Sequence, residues 1–357
     1  MRANIKNLIR SARGVQSRTI IAAGLLALAA AVGLAQGPAA SVNPMIGTGG
    51  DPDDGINLFP GATVPFGMVQ LSPDTEDHGP GYHYIQARIK GFSMTHLSGA
   101  GCANEGEVFF VPTTGPIVTQ TADFQSPYLH KEESASPGYY RVKLLQWDVD
   151  AELTATQRTG VARFTYPAGK TANVLLPLNR MLNNSEGASV RIVGDRRIEG
   201  WVENHAFCTN KQTYRVYFAM TFDKPFTSFG TWTGDHYDSQ GVVVEGSRAA
   251  EQTGHESWTG AYASWAASAQ PQTITANVGI SYVDVAGAEK NLAAEAAEFP
   301  AARRAAEAAW NRELSKIEIE GGTSERRRVF YTALYHSLMM PKIFEDVDGR
   351  VEKSSWR

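Results

Sequence analysis

Cysteine is almost missing from this chain: Cys102 and Cys208 are the only two in 357 residues. That scarcity excludes a disulfide-dense scaffold and leaves one possible pairing in an oxidising compartment, with two buried free thiols as the alternative. An excess of basic charge is also lacking, since 33 Lys and Arg stand against 37 Asp and Glu for a formal net charge of −4. No basic patch interleaves with aromatics, so no nucleic-acid partner is expected. Metal and nucleotide motifs are missing too. No His-x-x-x-His occurs, and His83 and His96 with Cys102 do not match zinc spacing. Gly47-Thr-Gly-Gly50 lacks the Gly-Lys-Ser/Thr of a phosphate loop, and Asp51, Asp53 and Asp54 miss the alternation and closing Glu of a calcium loop. A Gly-x-Ser-x-Gly nucleophile elbow is absent.

One apolar run stands out. Ile20 to Ala35 follows a stretch that carries Arg2, Lys6, Arg10, Arg13 and Arg18 with no acid. Its length suits a signal-peptide core better than a membrane span, so residues 1–35 read as an export signal, with an uncleaved anchor as the alternative. No adjacent arginine pair points to the twin-arginine route. The expected destination is periplasmic or secreted, with no membrane association after cleavage.

From residue 42 to 284 short strands alternate with Gly, Pro, Asn and Asp turns. Strands are predicted at Glu107–Val111, Tyr140–Leu144, Val161–Tyr166, Asn173–Leu176, Tyr214–Phe222, Ala261–Trp265 and Thr273–Val278. Amphipathic helices do not interleave with them, which argues against a parallel βαβ sheet. The fold class expected is mainly β, a large antiparallel β-sandwich. Residues 285–322 then turn Ala-, Glu- and Arg-rich, reading as helical linker with a break at Pro300 and an apolar face of Ala306, Trp310, Leu314 and Ile317. Thr323 or Ser324 can cap a third helix with a Phe330, Leu334 and Leu338 stripe, stopped by Pro341. That stripe has no partner of comparable size after it. Residues 323–357 therefore read as the beginning of a helical domain cut short, although the helix could instead pack back on the sandwich.

Polar chemistry concentrates in Gly79 to Cys102, GPGYHYIQARIKGFSMTHLSGAGC. A sugar is held by carboxylates, amides, imidazoles and backbone groups bonding its hydroxyls, with an aromatic ring against its apolar face. Gly81-Tyr-His-Tyr84 and Thr95 to Cys102 supply these residue types among glycines. Trp201, Glu203 and His205 could reach the same region if Cys102 and Cys208 are neighbours. Glycoside hydrolysis needs two placed carboxyl groups, yet no sandwich pair is singled out; Glu105 and Glu107 read most simply as solvated. Asp346 and Asp348 in Phe344-Glu-Asp-Val-Asp-Gly349 are the most distinctive acids, either an active-site loop or a solvated turn.

Several segments together resemble glycoside hydrolase family 92, the exo-acting α-mannosidases. They are Asn43-Pro-Met-Ile-Gly-Thr-Gly-Gly50, Phe59-Pro-Gly-Ala62, Pro65 to Asp74, Gly81-Tyr-His-Tyr84, Gly91 to Cys102, Pro112-Thr-Thr-Gly115, Tyr214 to Phe218, Phe330 to His336 and Phe344 to Gly349. The resemblance implies an N-terminal β-sandwich, a helical linker and an (α/α)6 barrel, of which this chain would hold only the truncated start. It implies a calcium-dependent, inverting exo-α-mannosidase acting on terminal mannose of glycans. No catalytic residue and no metal ligand is expected in this chain, with calcium held beyond Arg357 and the missing barrel acting as the sandwich's partner. The chain alone is then expected to be inactive; a free-standing carbohydrate-binding sandwich is the alternative. Gly81, Tyr82, His83, His96, Cys102 and Asp348 are the implied mannose-site residues. Many members carry a Trp-Asp-x-Cys-Ser-like run where Glu76-Asp-His-Gly-Pro80 stands here, so a tryptophan for the neighbouring sugar is absent.

Overall fold

A computed structural model describes residues 37–49, 57–75, 81–99, 105–180, 182, 185–205, 213–235, 242–253 and 257–352. The expected signal segment and both cysteines, with their possible bridge, lie outside the described residues. Among the described residues no helix is long and apolar enough to cross a membrane.

The expected antiparallel sandwich is what forms. A nine-stranded sheet runs in the order Ala249–Thr253, Ser185–Val193, Arg197–His205, Thr213–Phe222, Gln272–Ser281, Thr159–Tyr166, Val149–Ala155, Tyr139–Leu144 and Ser134–Ser136. A five-stranded sheet runs Val242–Glu245, Ser228–Asp235, Ser257–Trp265, Ala172–Pro177 and Val111–Thr114. The pairings within both are antiparallel. In Thr213–Phe222 the two-residue period turns Val216, Phe218, Met220 and Phe222 inward, where they join Val174, Leu176, Ala261 and Ala263 of the other sheet in one core.

Six of the seven predicted strands fall within observed ones. The exception is Glu107–Val111, of which only Val111 enters a strand. Its start is a turn with positive φ at Glu105 (64°), Gly106 (85°) and Val108 (55°), a conformation a ladder cannot accept.

Three helices follow: α1 Val285–Glu295, α2 Phe299–Leu314 and α3 Ser324–Met339. Asp284 caps α1 by accepting from the Gly287 N–H at 2.6 Å. Ala288 and Leu292 then lie on Ala219 of the large sheet. Gly279 permits this, because a Cβ there would sit 2.5 Å from the Ala288 carbonyl. Pro300 sits in the first turn of α2, where one helix has ended and the next begins, as expected. Ala302, Ala306, Trp310 and Leu314 are buried at four-residue spacing, and the Trp310 indole donates to the Thr63 carbonyl at 2.7 Å. Ile317 falls past the end of α2 and is half exposed.

Thr323 caps α3, accepting from the Arg326 N–H. The buried face differs by one residue from the expected stripe. Tyr331, Tyr335 and Met339 are buried against Trp310, Leu314, Val42 and Phe59, while Phe330, Leu334 and Leu338 are only partly covered. The tyrosines win because Trp310 offers an aromatic surface, with the Tyr335 ring 4.4 Å from it. So α3 packs on α2, Val42 and Phe59 through a neighbouring face, while the expected stripe of Phe330, Leu334 and Leu338 stays only partly covered.

Candidate functional site

The strand Gln70–Asp74 is buried at every position, and its last residue turns a carboxylate into a polar corner. Asp74 Oδ1 lies 2.8 Å from His96 Nε2, and His96 Nδ1 lies 2.8 Å from the Gln70 carbonyl. Both partners are buried, and Phe59 tilts over the imidazole with ring centres 5.2 Å apart. Gly81 completes the corner. Its φ is +84°, and a Cβ would lie 2.3 Å from Asp74 Oδ1 and 3.0 Å from His96 Nε2, so only glycine lets the backbone approach. Thr75 then orders the next turn: its N–H donates to the Gly81 carbonyl at 2.6 Å and its hydroxyl accepts from the His83 N–H at 2.8 Å. Asp74 Oδ2 is buried without a hydrogen-bond partner among the described residues.

Beside this corner Glu105 and Glu107 are buried, not solvated as expected. Glu105 pairs with Lys342, whose ammonium also reaches Gln70 Oε1 at 3.4 Å. Glu107 is enclosed by the Thr95 hydroxyl, by Asn204 Nδ2 at 2.5 Å and by the Tyr214 hydroxyl at 2.5 Å. Burial, with Glu105 close by, raises its carboxyl above the usual range and favours the neutral acid. Both side chains turn inward from a segment with positive φ at Glu105, Gly106 and Val108; their i, i+2 spacing alone would place them on one shared face without deciding which face is buried.

Of the residues expected at a sugar pocket, Gly81 and His96 meet at the corner. His83 follows on the same turn, half-buried, its Nδ1 accepting weakly from the Ile85 N–H at 3.4 Å. Tyr82 points the other way. It is fully buried in the main core and its hydroxyl donates to Glu133 at 2.9 Å, a packed position that offers a ligand no surface. Burial and the Glu133 charge push its phenol well above the ordinary value. Cys102 lies outside the described residues.

Asp348 is also placed elsewhere. It pairs with Lys290 of α1 at 2.7 Å and with Arg350 at 3.0 Å, and Lys290 first of all lowers its carboxyl to about 2. Asp346, expected on a solvated turn or active-site loop, is fully buried instead. It accepts from Ser281 at 2.8 Å and Asn291 at 2.7 Å, stapling its loop to α1 and the large sheet.

Trp201, Glu203 and His205 share the outward side of their strand. The Arg215 guanidinium covers Trp201 at 3.9 Å and pairs with Glu203, while His205 pairs with Glu186. Asn204, on the alternate pleat, is the residue that reaches the corner. Asp74, Lys342 and Asn204 were thus residues that sequence reading missed, and period-two alternation alone could have nominated Asn204.

Calcium is implied by the family resemblance. Among the described residues no three His, Cys, Asp or Glu side chains gather as a metal site. The most acidic loop has its carboxylates engaged by Lys290, Arg350, Ser281 and Asn291. These residues do not form the ion's site.

Comparison with known proteins identifies what this arrangement belongs to. Residues 41–281 match the glycosyl hydrolase family 92 N-terminal domain, and residues 287–356 match the glycosyl hydrolase family 92 catalytic domain. A family GH92 α-mannosidase from Bacteroides thetaiotaomicron is similar at TM-score 0.78 and 31% identity, over 90% of this chain and 45% of that one. The inverting family GH92 mannosidase of the same species gives TM-score 0.76 at 25% identity, over 88% and 41%. An "uncharacterized secreted glycosidase" of Arthroderma benhamiae is 26% identical across 84% of this chain. The chain spans 41% of that curated relative's length. The matches cover most of both the sandwich and the helices after it, and on them the chain belongs to glycosyl hydrolase family 92.

Proposed function

We propose that this chain is the N-terminal part of an exported, calcium-dependent, inverting exo-α-mannosidase acting on terminal mannose of glycans. Its role is to hold the terminal mannose while the catalytic acid, base and calcium ligands come from residues outside this chain. The observation that carries the reading is the consecutive match to the family's N-terminal and catalytic domains, in the order sandwich then helices. The residues 42–284, 285–322 and 323–357 serve in it as sandwich, linker and first part of the barrel.

The corner geometry suits that division of labour. Among the described residues Asp74 Oδ2 is a buried acceptor with no donor, and leaving it so costs about 1–3 kcal/mol unless an O–H reaches it. A sugar hydroxyl is such a donor. Gly81 and His96 shape its approach, and His83 stands on the next turn. Periplasmic or secreted placement agrees with a relative named as secreted.

The test is a binding and turnover assay on the 357-residue protein. Methyl α-mannoside should bind, and aryl α-mannosides should release no mannose with or without calcium. Robust turnover would mean that catalytic groups lie within this chain; failure to bind any α-mannoside would remove the sandwich's proposed role.

A further inference from the structure

Lys342 reaches two supports of the Gly81 corner from the segment that follows α3. The first is Gln70, whose carbonyl lies 2.8 Å from His96 Nδ1. The Gln70 side chain is fully buried; its Nε2 donates to the Gly67 carbonyl at 2.7 Å and its Oε1 faces the Lys342 ammonium at 3.4 Å. The second support is Glu105, whose buried carboxylate pairs with the same ammonium. Among the described residues Glu105 Oε2 has no hydrogen-bond partner, so the contact with Lys342 is what fixes this side chain. The backbone around Glu105 leads back to the corner twice. The Gly106 N–H donates to the Thr95 carbonyl at 3.0 Å, one residue before His96, and the Glu105 carbonyl accepts from the Leu182 N–H at 3.2 Å. Leu182 in turn lies against Gly81, where a Cβ would sit 2.9 Å from Leu182 Cδ1. Lys342 is itself held in place by its neighbour: the Ile343 N–H donates to the Phe66 carbonyl at 3.0 Å, and Ile343 packs on the sandwich core.

We propose that Lys342 is a positioning residue for the mannose corner: its ammonium holds Gln70 and Glu105 together, and through them sets where His96 and Asp74 stand. This rests on the mannose-binding role proposed above. The buried ammonium acts through its neighbours and not on the sugar. An ammonium is a compact charge with three donors, which suits one centre shared between an amide oxygen and a carboxylate. Without it Gln70 Oε1 loses a donor and Glu105 is left as an unpaired buried charge, and both side chains gain by turning elsewhere. Gln70 opens the strand that ends at Asp74 and carries the carbonyl facing His96, so a shift there moves both corner groups. A binding group is useful only while its supports keep it within a fraction of an ångström of the productive place. The corner is then not a property of the sandwich strands alone, because a residue in the part that matches the catalytic domain sets it.

The test titrates the 357-residue protein and its variants with methyl α-mannoside by calorimetry or ligand-observed NMR, beside a urea midpoint for each. Lys342→Met should bind roughly tenfold more weakly than wild type, the scale of one misplaced hydrogen bond. Adding Glu105→Gln should restore most of the stability and not the affinity. The second substitution relieves the unpaired charge but leaves Gln70 Oε1 without its donor, so a purely structural role would recover both readouts together. Gln70→Met keeps the Lys342–Glu105 pair and should lose affinity to a similar degree, which decides the matter if a Lys342 variant does not fold. Wild-type affinity in Lys342→Met, in the stable double variant or in Gln70→Met overturns this inference alone, while the wild-type protein still binds methyl α-mannoside. Absence of any mannoside binding by the wild type overturns the proposed function as well.

Discussion

Lys342, three residues past α3, buries its ammonium against the carboxylate of Glu105 in the sandwich; both side chains are more than nine-tenths covered. The two belong to different family matches, Glu105 to the N-terminal domain and Lys342 to the catalytic one. A buried pair of this kind is weak evidence of net stability, because desolvating two ions opposes their attraction. Removing one partner is another matter, since the other charge is left alone in a buried site. Lys342→Met should therefore destabilise by about 3–5 kcal/mol. The double variant Lys342→Met with Glu105→Gln should recover most of that loss. Urea unfolding of the single and double variants measures both, and a single variant as stable as wild type would show that Glu105 finds another partner.

Gly81 carries two separate requirements, a left-handed φ and the absence of a Cβ beside Asp74. Gly81→Ala meets neither. The expected cost is about 2–4 kcal/mol from backbone strain and overpacking together. Loss of α-mannoside binding should accompany it, because the Asp74 and His96 side chains must move. Denaturant midpoints and the mannoside titration are the two readouts.

Neighbours on one strand should behave oppositely. Asn204→Ala removes a donor from the fully buried Glu107 and should cost about 1–3 kcal/mol. Glu203→Ala removes a partly exposed ion pair with Arg215 and should cost under about 1 kcal/mol. Equal effects would contradict the observed pleat.

His336 titrates low, at about 4, because burial disfavours its charged form. In the unfolded chain its ordinary value is about 6.5, so between those values the unfolded state binds the extra proton. Stability should consequently fall as pH drops from about 6.5 towards about 4, by roughly 2–3 kcal/mol from this group. His336→Phe should flatten that part of the profile, as read from urea midpoints across the range.

Much of the architecture was legible in the residues. Tyr214 to Phe222 alternates with a period of two, and such a run has one way to bury a face. Ala306, Trp310 and Leu314 repeat at helical spacing, and Pro300 and Thr323 mark helix starts through properties of their own backbone and side chain. The segment from Gly79 to Cys102 was likewise marked by composition, because glycines beside hydrogen-bonding side chains leave a local trace.

What only the tertiary structure decided was direction and partnership. Tyr82 and His83 are adjacent, yet one enters the core and the other the turn beyond the corner, which the positive φ of Gly81 settles. Glu105 and Glu107 are buried because their face meets Lys342, Asn204 and Tyr214, which no local spacing specifies. Lys342 and Asn204 reached them from 237 and 97 residues away. The buried face of α3 shifted by one residue because Trp310 was there to receive Tyr335. Local pattern sets which elements form, since each residue's propensity and period act over a few neighbours. Contacts across hundreds of residues depend on which surfaces the folded sheets and helices bring together, and the Gly81 corner exists only as one of those meetings.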